Sequence, residues 1–231
     1  MNILTGVNSF KRKIATFFSK LLYFFVEKPF YKIAFKLNGD SYCSKACFIN
    51  SKIEVVKTGG GNKVSLGKGT FARNCVIRIN GSNNHIVIGN KVSIGPGCSF
   101  WVEGNGAKII VGDNCTFTKN VQLNAQEDGM VIKVGMDCMF SNTIIVRTSD
   151  SHLIYELDSK QRINIPKSVE IGNHVWIAPK TDIYKGVHIG DGAIIGSHSL
   201  VTKDVKSNSL VVGMPAKEIK TQISWNREHL F

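Results

Sequence analysis

The chain from Val64 onward repeats a unit of six residues that opens on an aliphatic or aromatic side chain. The fragments IGNKVS, VGDNCT and IGNHVW show its form, in which glycine or another small residue often comes second. The fifth position is small or β-branched: Val92, Cys98, Cys115, Val121, Cys138, Val175, Thr181, Val187, Ala193 and Ser199. A period of six with an inward aliphatic residue at each start is typical of a parallel β-helix with three sixes per coil. The pattern therefore predicts an all-β solenoid.

The length of each coil follows from the spacing of equivalent opening residues. Ile171 and Ile189 are 18 residues apart, which is one coil of three sixes. Earlier coils are 22 or 23 residues long, measured between Leu66, Ile88, Val111 and Val134. Their surplus is polar turn sequence, NGSNNH, EGNGAK or AQEDGM, which predicts a hairpin at one corner. The coil from Val134 to Ile171 has 37 residues and predicts a protruding loop over residues 147–170.

The sequence outside the repeats suggests three further segments. Residues 1–38 carry apolar side chains at helical spacing among lysines, typical of an amphipathic helix. Its uncharged runs are too short to span a bilayer, so it either caps the β-helix or lies on an anionic membrane surface. Residues 39–63 form a connecting segment or a first irregular coil, and 64–213 form the β-helix domain. Residues 214–231 are expected to form a tail with a short carboxyl-terminal helix.

Charge and cysteine content indicate which class of binding partner and which cellular compartment to expect. The net charge of +12 over 231 residues favours an anionic partner. Nucleic acid is not expected, because neither a zinc-finger spacing nor an aromatic RNA-binding motif accompanies the charge. Three of the six cysteines occupy the fifth position of a six, which predicts free core thiols. Cys43 and Cys47 are too widely spaced for a CxxC motif and no matching pair of ligands follows, so a metal site is not expected. We find no signal peptide with a cleavage site and expect a reduced, cytoplasmic setting, with peripheral contact at the inner face of the membrane as an alternative.

Several motifs resemble those of the hexapeptide-repeat acyltransferases. These are SDSHLIY, RIN, IGNHVWIA, KGVHIGDGAIIGSHSLVTKDV and GMPAKEIK, and the resemblance, which runs from Val64 to Lys220, is to the sugar and polysaccharide O-acetyltransferase branch. It implies a left-handed β-helix, a homotrimer, and direct transfer of acetyl from acetyl-CoA to a carbohydrate hydroxyl. The acceptor would be a capsule, a lipopolysaccharide or a sialic acid-containing glycan.

The chemistry implied by the resemblance needs a general base. A hydroxyl is a poor nucleophile at neutral pH, so a group that accepts its proton must lie within hydrogen-bond reach. His152 is the predicted base, delivered by the long coil, and Asp150 is the carboxylate chosen to hold its tautomer. Arg162 either secures the loop or binds an anionic acceptor. Trp176, at the outward end of a six, matches a tryptophan that lines the acceptor and thioester pocket in the family.

Cofactor-binding and acceptor-binding residues are also assigned by the resemblance. Ala178 and Gly196, 18 residues apart, would stack one coil apart beside the pantetheine arm of acetyl-CoA. The residues expected near its phosphates are Thr202, Lys203, Lys217 and Lys220. Asn124 and Asn142 either orient the acceptor or are asparagines at turn corners.

Two other functions fit the same repeats. An N-acetyltransferase acting on an amino sugar or its nucleotide conjugate is one, although that branch commonly has a separate amino-terminal nucleotide-binding domain. A noncatalytic β-helix scaffold is the other. Release of CoA thiol in the presence of acceptor sugars distinguishes the enzymes from the scaffold.

Overall fold

The computed structural model of the chain describes residues 33–37, 40–44 and 46–228. The amphipathic helix predicted around Ile14 to Phe25 lies outside these residues. Within the described part, all regular secondary structure is β-strand. No helix there is long and apolar enough to cross a membrane.

The described residues form 22 strands, most of them two to seven residues long. In chain order they are β1 (Ile33–Leu37), β2 (Asp40–Ser44), β3 (Cys47–Ile49), β4 (Lys52–Thr58), β5 (Lys63–Leu66), β6 (Phe71–Arg73), β7 (Val76–Ser82), β8 (His85–Ile88), β9 (Ser93–Ile94), β10 (Ser99–Asn105), β11 (Lys108–Val111), β12 (Thr116–Gln126), β13 (Val131–Val134), β14 (Met139–Arg147), β15 (Val169–Ile171), β16 (Trp176–Ile177), β17 (Asp182–Ile183), β18 (His188–Ile189), β19 (Ile194–Ile195), β20 (Leu200–Val201), β21 (Ser209–Val212) and β22 (Lys217–Thr221).

The strands stack into three faces, as in a triangular coil. Face A contains β1, β2, β5, β8, β11, β13, β15 and β18. Face B contains β4, β7, β10, β17 and β20, and face C contains β3, β6, β9, β16, β19, β21 and β22. The long strands β12 and β14 turn a corner and contribute to both face C and face B. Pairing is parallel except between β1 and β2 and between β21 and β22. The fold is that of a left-handed parallel β-helix.

The predicted coil equivalences are confirmed residue for residue. Leu66 pairs with Ile88 and Ile88 with Val111. Val111 then pairs with Val134. Across the 37-residue coil Val134 pairs with Ile171, and Ile171 then pairs with Ile189. The extra residues of each longer coil therefore leave the register of face A unchanged.

The core consists of the residues that the six-residue pattern points inward. Every fifth-position residue named above is 2% exposed or less. Buried opening residues include three phenylalanines that stack from coil to coil: Phe117 lies 5.5 Å from Phe100 and 4.6 Å from Phe140 between ring centroids. The cysteines whose side chains are described are free thiols, as predicted. Burial raises the pKa of Cys98 to about 11, so that thiol is unreactive near neutral pH.

The hairpins predicted at one corner are not present. β7, β10 and β12 instead extend into the surplus sequence and stay in parallel register, with Gly81 beside Gly104. A Cβ on Gly81, where φ is +114°, would lie 2.0 Å from the Gly104 carbonyl oxygen. Because glycine alone allows this backbone approach, the surplus residues stack coil on coil and do not fold back on themselves.

The predicted carboxyl-terminal helix is wrong for the described residues. β22 pairs antiparallel with β21, and the chain then runs back along the corner between faces A and C. There Arg227 donates to Asp137 Oδ1 at 2.9 Å and to Thr116 Oγ1 at 3.0 Å. Hydrogen bonds to earlier coils, which the local sequence pattern does not show, replace those of a helix.

The segment 39–63, for which the sequence left a connecting segment or an irregular coil open, contains paired strands. β2 pairs in parallel with β5, β3 with β6, and β4 with β7. A register shift between Val55 and Lys57 interrupts the pairing of β4. Parallel pairing of the β-helix therefore reaches back at least to β2.

Candidate active site

The long loop leaves face B at the end of β14 and returns to face A at β15. Its outer part is an arm of two antiparallel segments, bridged between Tyr155 and Arg162. Ile163 donates its backbone N–H to Ile154 O at 2.9 Å, which closes the arm. The loop thus presents an ordered projection at the corner where earlier coils have only a turn.

An ion pair with the preceding coil anchors the arm. Arg162 Nη1 and Nη2 donate to Glu127 Oε2 and Oε1 at 2.5 and 2.7 Å, and Ser149 Oγ donates to the same carboxylate. The Arg162 bonds lower the pKa of Glu127, burial opposes them, and the Ser149 hydroxyl adds to the lowering. Arg162 also donates to the Asn164 side chain at 3.2 Å. Of the two roles predicted for Arg162, the structure supports securing the loop, because its guanidinium is already used by protein acceptors.

Asp150 does not contact His152 as predicted. Its Oδ2 accepts hydrogen bonds from Lys185 Nζ and, at 3.0 Å, from Asn164 Nδ2. The Lys185 bond is the main cause that lowers the pKa of Asp150, with burial opposing it. Asp150 therefore joins the loop to the next coil through Lys185.

Asn164 is a central loop residue that the sequence analysis missed. Its Nδ2 donates to His152 O at 2.7 Å, and its Oδ1 accepts the backbone N–H of Ile154 at 2.9 Å. The side chain is buried and therefore fixes the backbone around the predicted base. The one sequence signal was its place in RIN, which the resemblance included without assigning a role.

The His152 side chain is exposed and makes no hydrogen bond within the described residues. Its backbone is held on both sides, by Asn164 at its own carbonyl and by Asp150 two residues earlier. The structure therefore presents a free imidazole on a fixed backbone, available to a molecule outside the chain's own core.

Trp176 lies on face C, away from the corner that carries His152. Its Nε1 approaches Ser141 Oγ at 3.5 Å, and its ring lies 6.1 Å from that of Trp225. Trp225 in turn stacks on His174 with ring centroids 4.2 Å apart. His174 also contacts Asp137 Oδ2 at 2.7 Å and the Trp225 carbonyl at 2.9 Å. Trp225 beside Trp176 is a second feature that the sequence analysis did not predict.

The predicted cofactor residues lie on neighbouring coils near the carboxyl-terminal end. Ala178 is buried and donates its N–H to Ile195 O at 2.9 Å. Space beside Gly196 is already filled, since a Cβ there would lie 2.3 Å from Val212 Cγ1. The approach of the pantetheine arm to the other sides of this half-buried glycine stays a prediction. The exposed polar residues of the set are Thr202, Lys203, Lys217 and Lys220.

The two asparagines predicted near the acceptor differ in position and in exposure. Asn124 is half-buried on face B, in register between Trp101 and Arg147. Asn142 is exposed in the middle of β14, and its carbonyl accepts the backbone N–H of Lys180 at 2.8 Å. Within the part of the chain that is described, no group of three or more His, Cys, Asp or Glu side chains is arranged to hold a metal ion.

Comparison with known proteins supports the repeat assignment. Residues 168–203 match the family model described as bacterial transferase hexapeptide (six repeats). That stretch contains the strands from β15 to β20. The solved structure of the polySia specific acetyltransferase NeuO is similar over 85% of this chain and 86% of that one, with a TM-score of 0.63 and 29% identity. The polysialic acid O-acetyltransferase OatWY aligns over 80% and 91%, with a TM-score of 0.65 and 28% identity.

Curated proteins match over shorter stretches. The polysialic acid O-acetyltransferase of Escherichia coli O1:K1 / APEC is 39% identical over 84 residues, which cover 36% of this chain and 27% of that protein. The chloramphenicol acetyltransferase of Morganella morganii is 50% identical over 68 residues, or 29% and 31% of the two chains. These alignments span less than a third of the relatives' lengths.

Proposed function

We propose that the chain is an acetyl-CoA-dependent O-acetyltransferase that acetylates a carbohydrate hydroxyl, with His152 as general base. The observation that carries this proposal is the exposed His152 imidazole on a backbone held by Asn164 and Asp150. A base must be held still yet remain free to accept the substrate's proton. The family's acetyltransferases named above support acetyl transfer, and the polysialic acid enzymes among them support a glycan acceptor.

In the proposed reaction an unprotonated nitrogen of His152 accepts the proton of the acceptor hydroxyl. Acetyl-CoA supplies a thioester carbonyl, and an oxygen–carbon bond forms there as the carbon–sulfur bond breaks. The proton held by His152 then passes to the departing thiolate, so that the imidazole returns to its starting state. Asn164 and Asp150 act by positioning the His152 backbone.

Acetyl-CoA carries phosphates, and part of the predicted cofactor set fits them. Lys203, Lys217 and Lys220 are exposed, and no carboxylate of the described residues pairs with them. Ammonium groups without a partner suit phosphate oxygens. These lysines and Thr202 would hold the nucleotide end of acetyl-CoA. Ala178 would line the path of its pantetheine arm. Gly196 does not fit a cradle on the side that Val212 fills.

A second copy of the chain is part of the proposal. His152 projects at the corner between faces B and A, whereas Trp176 lies on face C, and no contact joins them in one chain. A homotrimer would let the loop of one subunit approach face C of the next, three times under cyclic symmetry. The apolar side chains exposed on the arm are suited to such a contact.

His152→Ala tests the proposed base. We expect kcat to fall by about 10²–10⁴, the usual contribution of a positioned acid or base, with little change in acetyl-CoA affinity. Turnover is measured as thiol release with sialylated and neutral acceptors, and affinity by calorimetry. His188→Ala, on face A, is the matched control. A folded His152→Ala enzyme that keeps more than about half of normal turnover would refute the mechanism.

A further inference from the structure

Outward side chains on face B stack from coil to coil in columns, with rungs about 4.8 Å apart. One column, which we call the closed column, contains Asn80, Glu103 and Gln126. Its neighbour, the open column, consists of Arg78, Trp101, Asn124, Arg147 and Tyr184.

The closed column is saturated with hydrogen bonds. Asn80 Nδ2 donates to Glu103 Oε1 at 2.6 Å, and Gln126 Nε2 donates to Glu103 Oε2 at 2.8 Å. Ser151 Oγ completes it by donating to Gln126 Oε1 at 3.0 Å. Both oxygens of the one carboxylate in this column are therefore used within the chain.

The open column has donors without acceptors. Trp101 Nε1 and Arg147 Nε are buried and have no hydrogen-bond partner among the described residues. Between them, the side chain of Asn124 makes no hydrogen bond within the described chain. Two buried donors are thus unsatisfied in this column, on either side of an Asn124 amide that makes no hydrogen bond within the described chain. Buried unpaired donors are destabilising, which favours a role beyond packing.

Arg147 is the cation of this group that forms no salt bridge among the described residues, although its charge adds to the effect of Lys185 in lowering the pKa of Asp150. Arg78, by contrast, is paired with Glu54 at 2.9 Å. Within the described residues no carboxylate oxygen lies within 4.0 Å of the Arg147 guanidinium. The guanidinium lies over the Tyr184 ring, 5.4 Å from its centroid, which holds the planar group on the face. A stacked guanidinium with free donors is suited to bidentate binding of a carboxylate or phosphate.

The open column ends at the base of the catalytic loop. Arg147 is the last residue of β14, and Tyr184 precedes Lys185, which holds Asp150. A molecule bound along the column would therefore extend toward the loop that carries His152.

We propose that the open column is an acceptor subsite that binds an anionic sugar unit, with Arg147 receiving its carboxylate or phosphate. Asn124 offers its side-chain amide to a neighbouring unit, beside Trp101, whose ring centroid lies 5.5 Å from the Arg78 guanidinium. This inference rests on the proposed function for its meaning in catalysis, but the binding itself does not require turnover.

Binding is tested by calorimetry on the full chain without acetyl-CoA. The probes are a hexamer of sialic acid, the same hexamer with its carboxylates reduced to alcohols, and mannose 6-phosphate. We expect an anionic probe to bind, and Arg147→Gln to weaken it about ten- to hundredfold, the loss expected for charge-assisted hydrogen bonds. The reduced hexamer should bind wild type and variant equally. Binding of the sialic acid hexamer or of the phosphate identifies which anion is recognised.

Arg73→Gln is the matched control, since Arg73 is exposed on face C and the substitution removes the same charge. Arg147→Lys, which keeps the charge but loses the bidentate geometry, should bind with intermediate affinity and guards against misfolding of the glutamine variant. The proposal is overturned if no anionic probe binds the wild type, or if Arg147→Gln binds as well as Arg73→Gln. Binding without acetyl transfer would instead refute the proposed function and leave the subsite standing.

Discussion

At the scale of single residues, the carboxylates that anchor the loop have partners within the chain, whereas the loop histidine has none among the described residues. Glu127 of the preceding coil pairs with Arg162 of the loop. Asp150 of the loop pairs with Lys185 of the next coil. Their carboxylates therefore hold the loop in place, while His152 keeps its imidazole free. This division explains how a long polar loop can be ordered and still present a free imidazole.

The loop should lose order in acid. The pKa of Glu127 is below its usual value of 4.5 in the folded chain, so its stabilising effect is complete above pH 4.5 and is lost as pH falls through the lowered pKa. Hydrogen exchange of the Ile154 and Ile163 amides, corrected for the intrinsic rate, should therefore accelerate as the pH falls below 4.5. Glu127→Gln should show the faster exchange already at pH 7. Wild-type protection in that variant at pH 7 would contradict the assigned role of Glu127.

At the scale of elements, the corner between faces B and A depends on close contact of successive backbones. Gly81 and Gly104 both have φ near +110°, and each would meet backbone atoms of the next coil through a Cβ. Gly106 lies at the same corner with φ of +76° but has open space around it. At this corner Gly106 is favoured by its backbone conformation alone, whereas Gly81 and Gly104 are also required by the close approach of the next coil.

Gly81→Ala should be more destabilising than Gly106→Ala. The first variant combines an unfavourable φ with a backbone clash, and we expect a loss of about 2–4 kcal/mol in the free energy of unfolding. The second has the conformational penalty alone, about 1 kcal/mol. Denaturant unfolding of both variants measures the difference. Equal losses would mean that neighbouring coils separate easily at this corner.

At the scale of the whole molecule, the arm bears more exposed apolar surface than one chain accounts for. Leu157 is 76% exposed and Leu153 62%. Ile154, Tyr155, Ile163 and Ile165 are exposed on the same arm. Contiguous apolar groups of this kind mark interaction surfaces, and the separate faces of His152 and Trp176 give the arm a reason to contact another subunit.

We expect the protein to be a trimer at micromolar concentration in light scattering. Leu153→Asp combined with Leu157→Asp should dissociate it and abolish turnover, because charge would be buried at the subunit contact. Val56→Asp, which changes an exposed residue of face B away from the arm, should remain trimeric and active. A monomeric wild type with full turnover would rule out a shared site.

The sequence by itself determined the β-helix, the inward residues and the length of each coil. Those properties depend on a period of six and on residue size, both of which are readable over a few neighbouring positions. The sequence also located the long loop and its histidine. It misassigned Asp150, the corner hairpins and the carboxyl-terminal helix, since each depends on what the next coil offers.

Only the tertiary structure decided which groups are partners. Arg162 and Glu127 are 35 residues apart, and His174 and Trp225 are 51 apart. The open column spans a longer stretch of sequence, from Arg78 to Tyr184, because its five members come from five different coils. Stacking of the coils brings neighbouring members of a column to strands about 4.8 Å apart, whatever their separation along the chain. No local pattern records whether a donor on one rung finds its acceptor on the next, and that difference separates the closed column from the open one.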